Sequence, residues 1–295
     1  MIAKQGRVIK NYMGYYYVDV GNNEIVTCKV KGKMKQNRFS LFTGDFVRLE
    51  INGTEGMITE ILPRKNFLLR PNVANIDLVV ITCAAASPDF SFLLTDKLLA
   101  LAEFAKIPAV ICINKIDLAP KGLIQHCQAI YEEIGYQLLP VSAQTGAGLE
   151  ELLSVVTGKV TVFAGPSGVG KSSLLNAIDP KITRSVGDVS IKIGRGKHTT
   201  RFAHFLPFAE GYIVDTPGFG NVNIDEFKKE LLPRCFKEFT KEAPQCRFNG
   251  CTHTHEPECA VKEALVHGEI ATSRYQSYLT MKLEIETAQE RGIKK

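Results

Sequence analysis

Gly165-Pro166-Ser167-Gly168-Val169-Gly170-Lys171-Ser172 fits the pattern G-x-x-x-x-G-K-[ST] and stands between two runs that give it a fold. Before it, Lys159-Val160-Thr161-Val162-Phe163-Ala164 reads as a buried strand. After it, Ser172-Ser173-Leu174-Leu175-Asn176-Ala177-Ile178 has helix formers with apolar residues at helical spacing. A strand, a glycine-rich turn and a helix form the setting in which such an octet cradles phosphates. Gly165, Gly168 and Gly170 let successive N–H groups point inward, and Pro166, Ser167, Val169 and Ser173 complete the predicted nucleotide-contacting stretch. Lys171 then brings its ammonium to the outer phosphates and Ser172 offers a hydroxyl to magnesium.

Earlier in the chain, Asn114-Lys115-Ile116-Asp117 follows the apolar run Ile107-Pro108-Ala109-Val110-Ile111-Cys112-Ile113, a strand of the kind buried in a parallel sheet. Asp117 can accept from both N1–H and the exocyclic amine of guanine, an edge that adenine lacks. Asn114 would hold the loop and reach the base, and the Lys115 stem would cover the ring. Ser142-Ala143-Gln144-Thr145-Gly146-Ala147-Gly148-Leu149, after the strand Gln137–Val141, resembles the loop through which GTPases meet the guanine carbonyl by backbone amide. In the ordinary order the phosphate loop comes first. Here it comes second, which predicts a circularly permuted α/β P-loop GTPase domain.

Asp215-Thr216-Pro217-Gly218 supplies a carboxylate for magnesium and a glycine amide for the γ-phosphate. Phe219 follows, where many GTPases carry a water-orienting glutamine, so water positioning must come from elsewhere. Gly194-Arg195-Gly196-Lys197-His198-Thr199-Thr200 is the candidate first switch. Thr200, or Thr199, would bind magnesium, and His198 would orient water or act as a base, or else is an ordinary residue of a basic loop. Lys171, His198 and Thr200 are the expected catalytic set.

Of eight cysteines, Cys28, Cys83, Cys112, Cys127 and Cys235 are scattered, several in apolar strands. Cys246, Cys251, His253 and Cys259 cluster within fourteen residues and match a closed structural zinc site, with His255 as an alternative to His253. A disulfide framework is the competing reading, disfavoured by the absence of a signal-like opening and by the nucleotide motifs.

Residues 1–70 lack a helical period and instead show short strands at Arg7–Ile9, Tyr15–Val20, Glu24–Val30, Asp45–Ile51 and Gly56–Ile61. That pattern predicts a small closed β-barrel, an OB-fold. These residues carry 12 Lys/Arg against 6 Asp/Glu, so the chain's net +5 resides here. Lys29, Lys31, Lys33, Lys35 and Arg38 crowd one strand and loop. With Tyr12, Tyr15, Tyr17 and Phe39 for stacking they suggest RNA binding, against the alternative of a lysine-protected sheet edge. Residues 225–242 and 257–292 are helical in pattern. The expected division is a barrel over 1–70, the GTPase domain over 71–220 and a zinc-binding α-helical domain over 221–295. No apolar run approaches the roughly eighteen residues of a membrane span, so no membrane partner is expected.

Taken in this order, the N-K-I-D, S-A, G-P-S-G-V-G-K-S, G-R-G-K-H-T-T, D-T-P-G-F and Cys-Cys-His-Cys motifs resemble the bacterial ribosome small subunit-dependent GTPase family (RsgA, also called YjeQ) over nearly the full chain. The resemblance implies a cytoplasmic GTPase that uses GTP/GDP with Mg2+ and one structural Zn2+. It further implies a protein that acts late in small-subunit maturation, binds the small ribosomal subunit and its rRNA near the decoding region, and hydrolyses GTP far faster when bound; a monomer is expected.

Overall fold

The computed structural model describes residues 2–22, 24–32, 40–69, 72–180, 203–215 and 227–293. The first strands are β1 (Ile2–Tyr12), β2 (Tyr15–Asp19), β3 (Ile25–Val30), β4 (Phe46–Asn52) and β5 (Glu55–Ile61), closed into a barrel in the order β1-β2-β3-β5-β4. β3 runs parallel to β5 and the other pairs are antiparallel, which is OB-fold connectivity. Alternation fills the interior: on β3, Val26, Cys28 and Val30 are buried while Ile25 and Lys29 are exposed. They pack with Val8, Val18, Val47, Leu49 and Ile58. β1 is longer than its apolar triplet predicts because it serves two neighbours, Ile2–Arg7 against β4 and Arg7–Tyr12 against β2, with an irregularity between Val8 and Lys10.

β6 (Phe67–Leu69) and β7 (Asn72–Ala74) form a short antiparallel pair. Then come β8 (Leu78–Ala84), α1 (Phe92–Phe104), β9 (Ala109–Asn114), α2 (Leu123–Tyr131), β10 (Leu138–Pro140), α3 (Leu149–Val156), β11 (Val160–Ala164), α4 (Lys171–Ile178), β12 (His204–Phe208) and β13 (Gly211–Asp215). The six longer-range strands form one sheet in the order β10-β9-β8-β11-β13-β12. Counted from β11 as first, that order reads 6-5-4-1-3-2, so the chain enters the sheet at its fourth strand and the permutation is visible in the topology. β8 and β11 are buried at every position, as strands covered on both faces must be. β12 and β13 are antiparallel, joined by Ala209 and Glu210 at φ 45° and 61°, the pair of positive angles that a tight hairpin needs.

The chain divides into two compact units. One holds Met1–Val79, Leu153–Phe163 and Leu175–Phe219, and the other holds Val80–Leu152, Ala164–Leu174 and Gly220–Lys295. In the second, a 3-10 helix at Lys229–Cys235 precedes α5 (Lys237–Glu242), α6 (Ala260–Val266) and α7 (Thr272–Ile293). The stretches that are helical in pattern are thus each divided into shorter helices. Pro233 lies inside the 3-10 segment and Phe236 is extended, so the first stretch cannot run through. Gly268 at φ 78° separates α6 from α7.

Leu232, Phe236, Phe239, Val261, Ile270, Tyr278, Met281 and Ile285 form an apolar cluster that takes in Ala100 of α1, with Leu93 and Leu101 packed against it. Inside it lies an ion network: Arg274 donates to both Glu238 oxygens at 2.7 and 3.1 Å and to Asp96 at 2.6 Å, and Tyr131 donates to Asp96 at 2.9 Å. Burial disfavours the Arg274 cation, but Asp96 and Glu238 outweigh it and hold its pKa above the usual value. Among the described residues no helix is long and apolar enough to cross a membrane.

Candidate nucleotide site and metal centre

Loops at the carboxyl ends of parallel strands are where open α/β sheets gather ligand-binding groups, and β11 runs parallel to β13 as β9 does to β10. The octet at 165–172 connects β11 to α4. Two of its glycines are dictated by space. A Cβ on Gly165, at φ 149°, would stand 2.1 Å from the Thr82 carbonyl oxygen. One on Gly170, at φ 92°, would stand 2.4 Å from Asn114 Nδ2.

Asn114, 1% exposed, joins the two nucleotide motifs. Its Nδ2 donates to the Val169 carbonyl at 2.9 Å and its Oδ1 accepts from the Ala143 amide at 3.1 Å. The side chain is thus hydrogen-bonded to two loops at once. Lys115, in the left-handed region at φ 63°, reaches across to donate to the Gly168 carbonyl at 2.8 Å and to the Ser87 carbonyl. Asp117 is exposed on a 3-10 turn and accepts from Ser142 Oγ, whose oxygen accepts in turn from the Thr145 amide at 3.1 Å. Asn114, Lys115, Asp117, Ser142, Ala143 and the octet are therefore one hydrogen-bonded constellation.

Lys171, the first residue of α4, donates to the Gly165 and Pro166 carbonyls at 2.7 Å each, which sets its ammonium within the turn of the loop. Burial lowers its pKa. Ser172 and Ser173 are exposed on the same first turn. Asp215 closes β13 with its backbone opposite His204. Thr216, Pro217, Gly218, Phe219 and the segment with His198, Thr199 and Thr200 lie outside the described residues. The Ser87 carbonyl that Lys115 meets was not foreseeable, because main-chain contacts leave no mark on residue type.

Cys246, Cys251, His253 and Cys259 bring their donor atoms within 4.8 Å of one another. His253 Nδ1 is 3.4 Å from Cys259 Sγ and 3.7 Å from Cys246 Sγ, and these two sulfurs are 3.9 Å apart. Bonds of about 2.3 Å at tetrahedral angles place donors about 3.7 Å apart, so the donor set fits a zinc ion. His255 instead turns its Nδ1 toward the Thr254 hydroxyl and is exposed, which leaves His253 as the imidazole of the group. Burial lowers the His253 pKa and favours the neutral ring that ligates.

The loop backbone around the group is fixed from behind. Tyr275 donates to the His253 carbonyl at 2.7 Å, Tyr278 to the Thr252 carbonyl at 2.6 Å, and Phe239 meets the His253 ring edge-on at 5.7 Å. Burial would raise the Glu256 carboxyl, but hydrogen bonds from Thr252 and Thr254 overcome that and hold it well below the usual range.

On the barrel, Lys29 is exposed on β3, 5.2 Å from the Tyr15 ring and 3.8 Å from Glu55. β3 ends at Val30, so Lys31 lies just past the strand, exposed, with its amide on the Ile58 carbonyl. Lys33, Lys35, Arg38 and Phe39 lie outside the described residues. The Lys10 ammonium stands between the rings of Tyr12 and Tyr17, at 5.6 and 5.3 Å.

Residues 61–225 match the RsgA GTPase family and residues 5–58 match the RsgA N-terminal domain. The small ribosomal subunit biogenesis GTPase RsgA of Caldanaerobacter subterraneus subsp. tengcongensis is 44% identical over 292 residues, covering 98% of each chain. The protein of the same name from Alkaliphilus metalliredigens is 45% identical, covering 95% of this chain and 97% of its own. The crystal structure of YjeQ from Thermotoga maritima superposes with a TM-score of 0.85 at 39% identity, covering 96% of this chain and 99% of its own. That of YloQ, described as a circularly permuted GTPase, gives 0.82 at 33% identity, covering 97% and 96%.

Proposed function

The chain belongs to the RsgA GTPase family and is a GTPase, and from that premise we propose that it acts in the cytoplasm as a late maturation factor of the small ribosomal subunit. The observation that carries the nucleotide reading is the Asn114 amide, which ties the guanine loop to the phosphate loop at Val169. A side chain bonded to both loops fixes the distance between base and phosphate subsites. The ribosomal reading comes from the names of the relatives, which cover nearly the whole chain.

In this reading residues 71–220 hold GTP or GDP, with Lys171 neutralising phosphate charge as the transition state forms. Ser172, Thr200 and Asp215 hold Mg2+, Gly218 meets the γ-phosphate and His198 orients the attacking water. Residues 1–70 dock on rRNA through Lys29, Lys31, Lys33, Lys35 and Arg38. Residues 221–295 are a helical domain held by one structural Zn2+ on Cys246, Cys251, His253 and Cys259. The protein works as a monomer.

Phe219 cannot orient water, so the free protein should turn over slowly and a bound partner should complete the site. Purified small ribosomal subunits are expected to raise the GTPase rate at least about tenfold at low salt, with the effect fading as salt screens the rRNA contacts. A rate that subunits leave unchanged would end this reading.

Base selection gives a separate expectation. Asp117→Asn should weaken GTP binding about 100-fold and favour xanthosine triphosphate, whose carbonyl replaces the guanine amine. Competition binding with the two nucleotides measures it, and unaltered GTP preference would remove Asp117 from base recognition.

A further inference from the structure

Arg7, Asp19 and Phe46 form one row across the barrel, since Arg7 is the cross-strand partner of Asp19 on β2 and of Phe46 on β4. Tyr212 of β13 meets that row. Its phenol donates to Asp19 Oδ2, and the Arg7 guanidinium lies 4.4 Å from the Phe46 ring centroid and 5.9 Å from that of Tyr212. The Tyr212 ring in turn tilts against Phe205 of β12 at 5.7 Å. A second link runs from the Thr43 hydroxyl to the Ala203 carbonyl, at 3.2 Å, just before β12 begins. The barrel is therefore joined to the β12–β13 hairpin partly through a polar latch of one phenol, one carboxylate and one guanidinium. Burial and the bond to Asp19 push the Tyr212 phenol up to about 12, so it keeps its proton and stays a donor at neutral pH.

Tyr212 precedes Asp215 by three residues on the same strand, about 10 Å along its axis. Strand β13 is stiffened by its pairing with β11 and β12, so a pull at Tyr212 is carried to its end. A latch with a polar component suits a switchable contact, because the directional part of it is a single hydrogen bond that can be broken and remade.

We propose that Tyr212, acting through Asp19 and Arg7, is a positioning residue for GTP hydrolysis: it ties the seating of β13, and with it Asp215, to what the barrel engages. The inference rests on the subunit-stimulated reading above and adds the residues that carry the coupling.

Tyr212→Phe keeps the ring and its contact with Phe205 and removes only the donor. In the full chain, with GTP, magnesium and purified small ribosomal subunits, the ratio of stimulated to basal turnover is expected to fall about fivefold, the worth of one hydrogen bond. Subunit affinity, read by co-sedimentation, should not change. Asp19→Asn retains an acceptor for the phenol and should retain most of the ratio, whereas Asp19→Ala should lose it. A merely structural role would lower both rates together and leave the ratio intact. An unchanged ratio in Tyr212→Phe beside a normally stimulated wild type overturns the inference and spares the proposed function. A wild type that subunits do not stimulate overturns the proposed function and the inference with it.

Discussion

Lys171→Ala is expected to cut GTP turnover by about a thousandfold at saturating nucleotide, the largest loss of any single substitution in the chain. Hydrolysis spreads negative charge over the outer phosphate oxygens, and a preorganised cation there lowers the barrier more than it tightens ground-state binding. Preorganisation is visible in the fold: two carbonyls, of Gly165 and Pro166, hold the Lys171 ammonium within the turn of the loop. Lys171→Arg should rescue little, because a planar fork does not fit a cradle shaped for a compact ammonium. Single-turnover hydrolysis at several GTP concentrations separates weak binding from slow chemistry. A residual rate within about tenfold of wild type would place the chemistry elsewhere.

Loss of the proposed zinc should be the second large effect. Cys259, 2% exposed, belongs both to the donor group and to the apolar cluster with Phe239, Val261 and Tyr278. Cys259→Ser should therefore abolish the one equivalent of tightly held zinc and loosen the packing around residues 246–259. Structural zinc contributes about 10 kcal/mol or more of apparent binding energy in isolated fingers, and a fraction of that suffices to melt this segment. The chain has no tryptophan, so near-ultraviolet dichroism reports tyrosine and phenylalanine packing, Tyr275 and Tyr278 included. Metal analysis below half an equivalent in the wild type, or an unchanged spectrum in Cys259→Ser, would contradict a structural role.

These two candidate sites could be proposed from the sequence because their chemistry restricts residue type. Only glycine fits at Gly165 and Gly170, where a Cβ would strike a carbonyl oxygen and an amide nitrogen, and only thiols and imidazoles make a closed zinc site. The barrel was legible for a different reason: Val26, Cys28 and Val30 alternate with exposed neighbours as a half-buried strand requires. Choosing His253 over His255 was not a matter of spacing, since both lie within reach. It depends on His253 taking φ 55° and turning its ring inward under Phe239. Within the helical stretch 225–242, Pro233 marks the part that takes the tighter 3-10 form. The Tyr212 latch and the Asp96–Arg274–Glu238 network could not be read at all, because their members are far apart in the chain and no local pattern marks them.

That last network bears on how the protein is made. Asp96 and Arg274 are 178 residues apart, so at 5–20 residues per second roughly 10–40 s pass between the synthesis of one and the other. A buried carboxylate without its cation costs several kcal/mol. Until α7 emerges, docking α1 therefore requires either that cost or the protonation of Asp96, whose pKa burial raises. Helix α1 is thus translated early and gains the cation that pairs with its buried carboxylate late. A chain that ends short of residue 274 is accordingly expected to leave α1 more open to limited proteolysis than the full chain does.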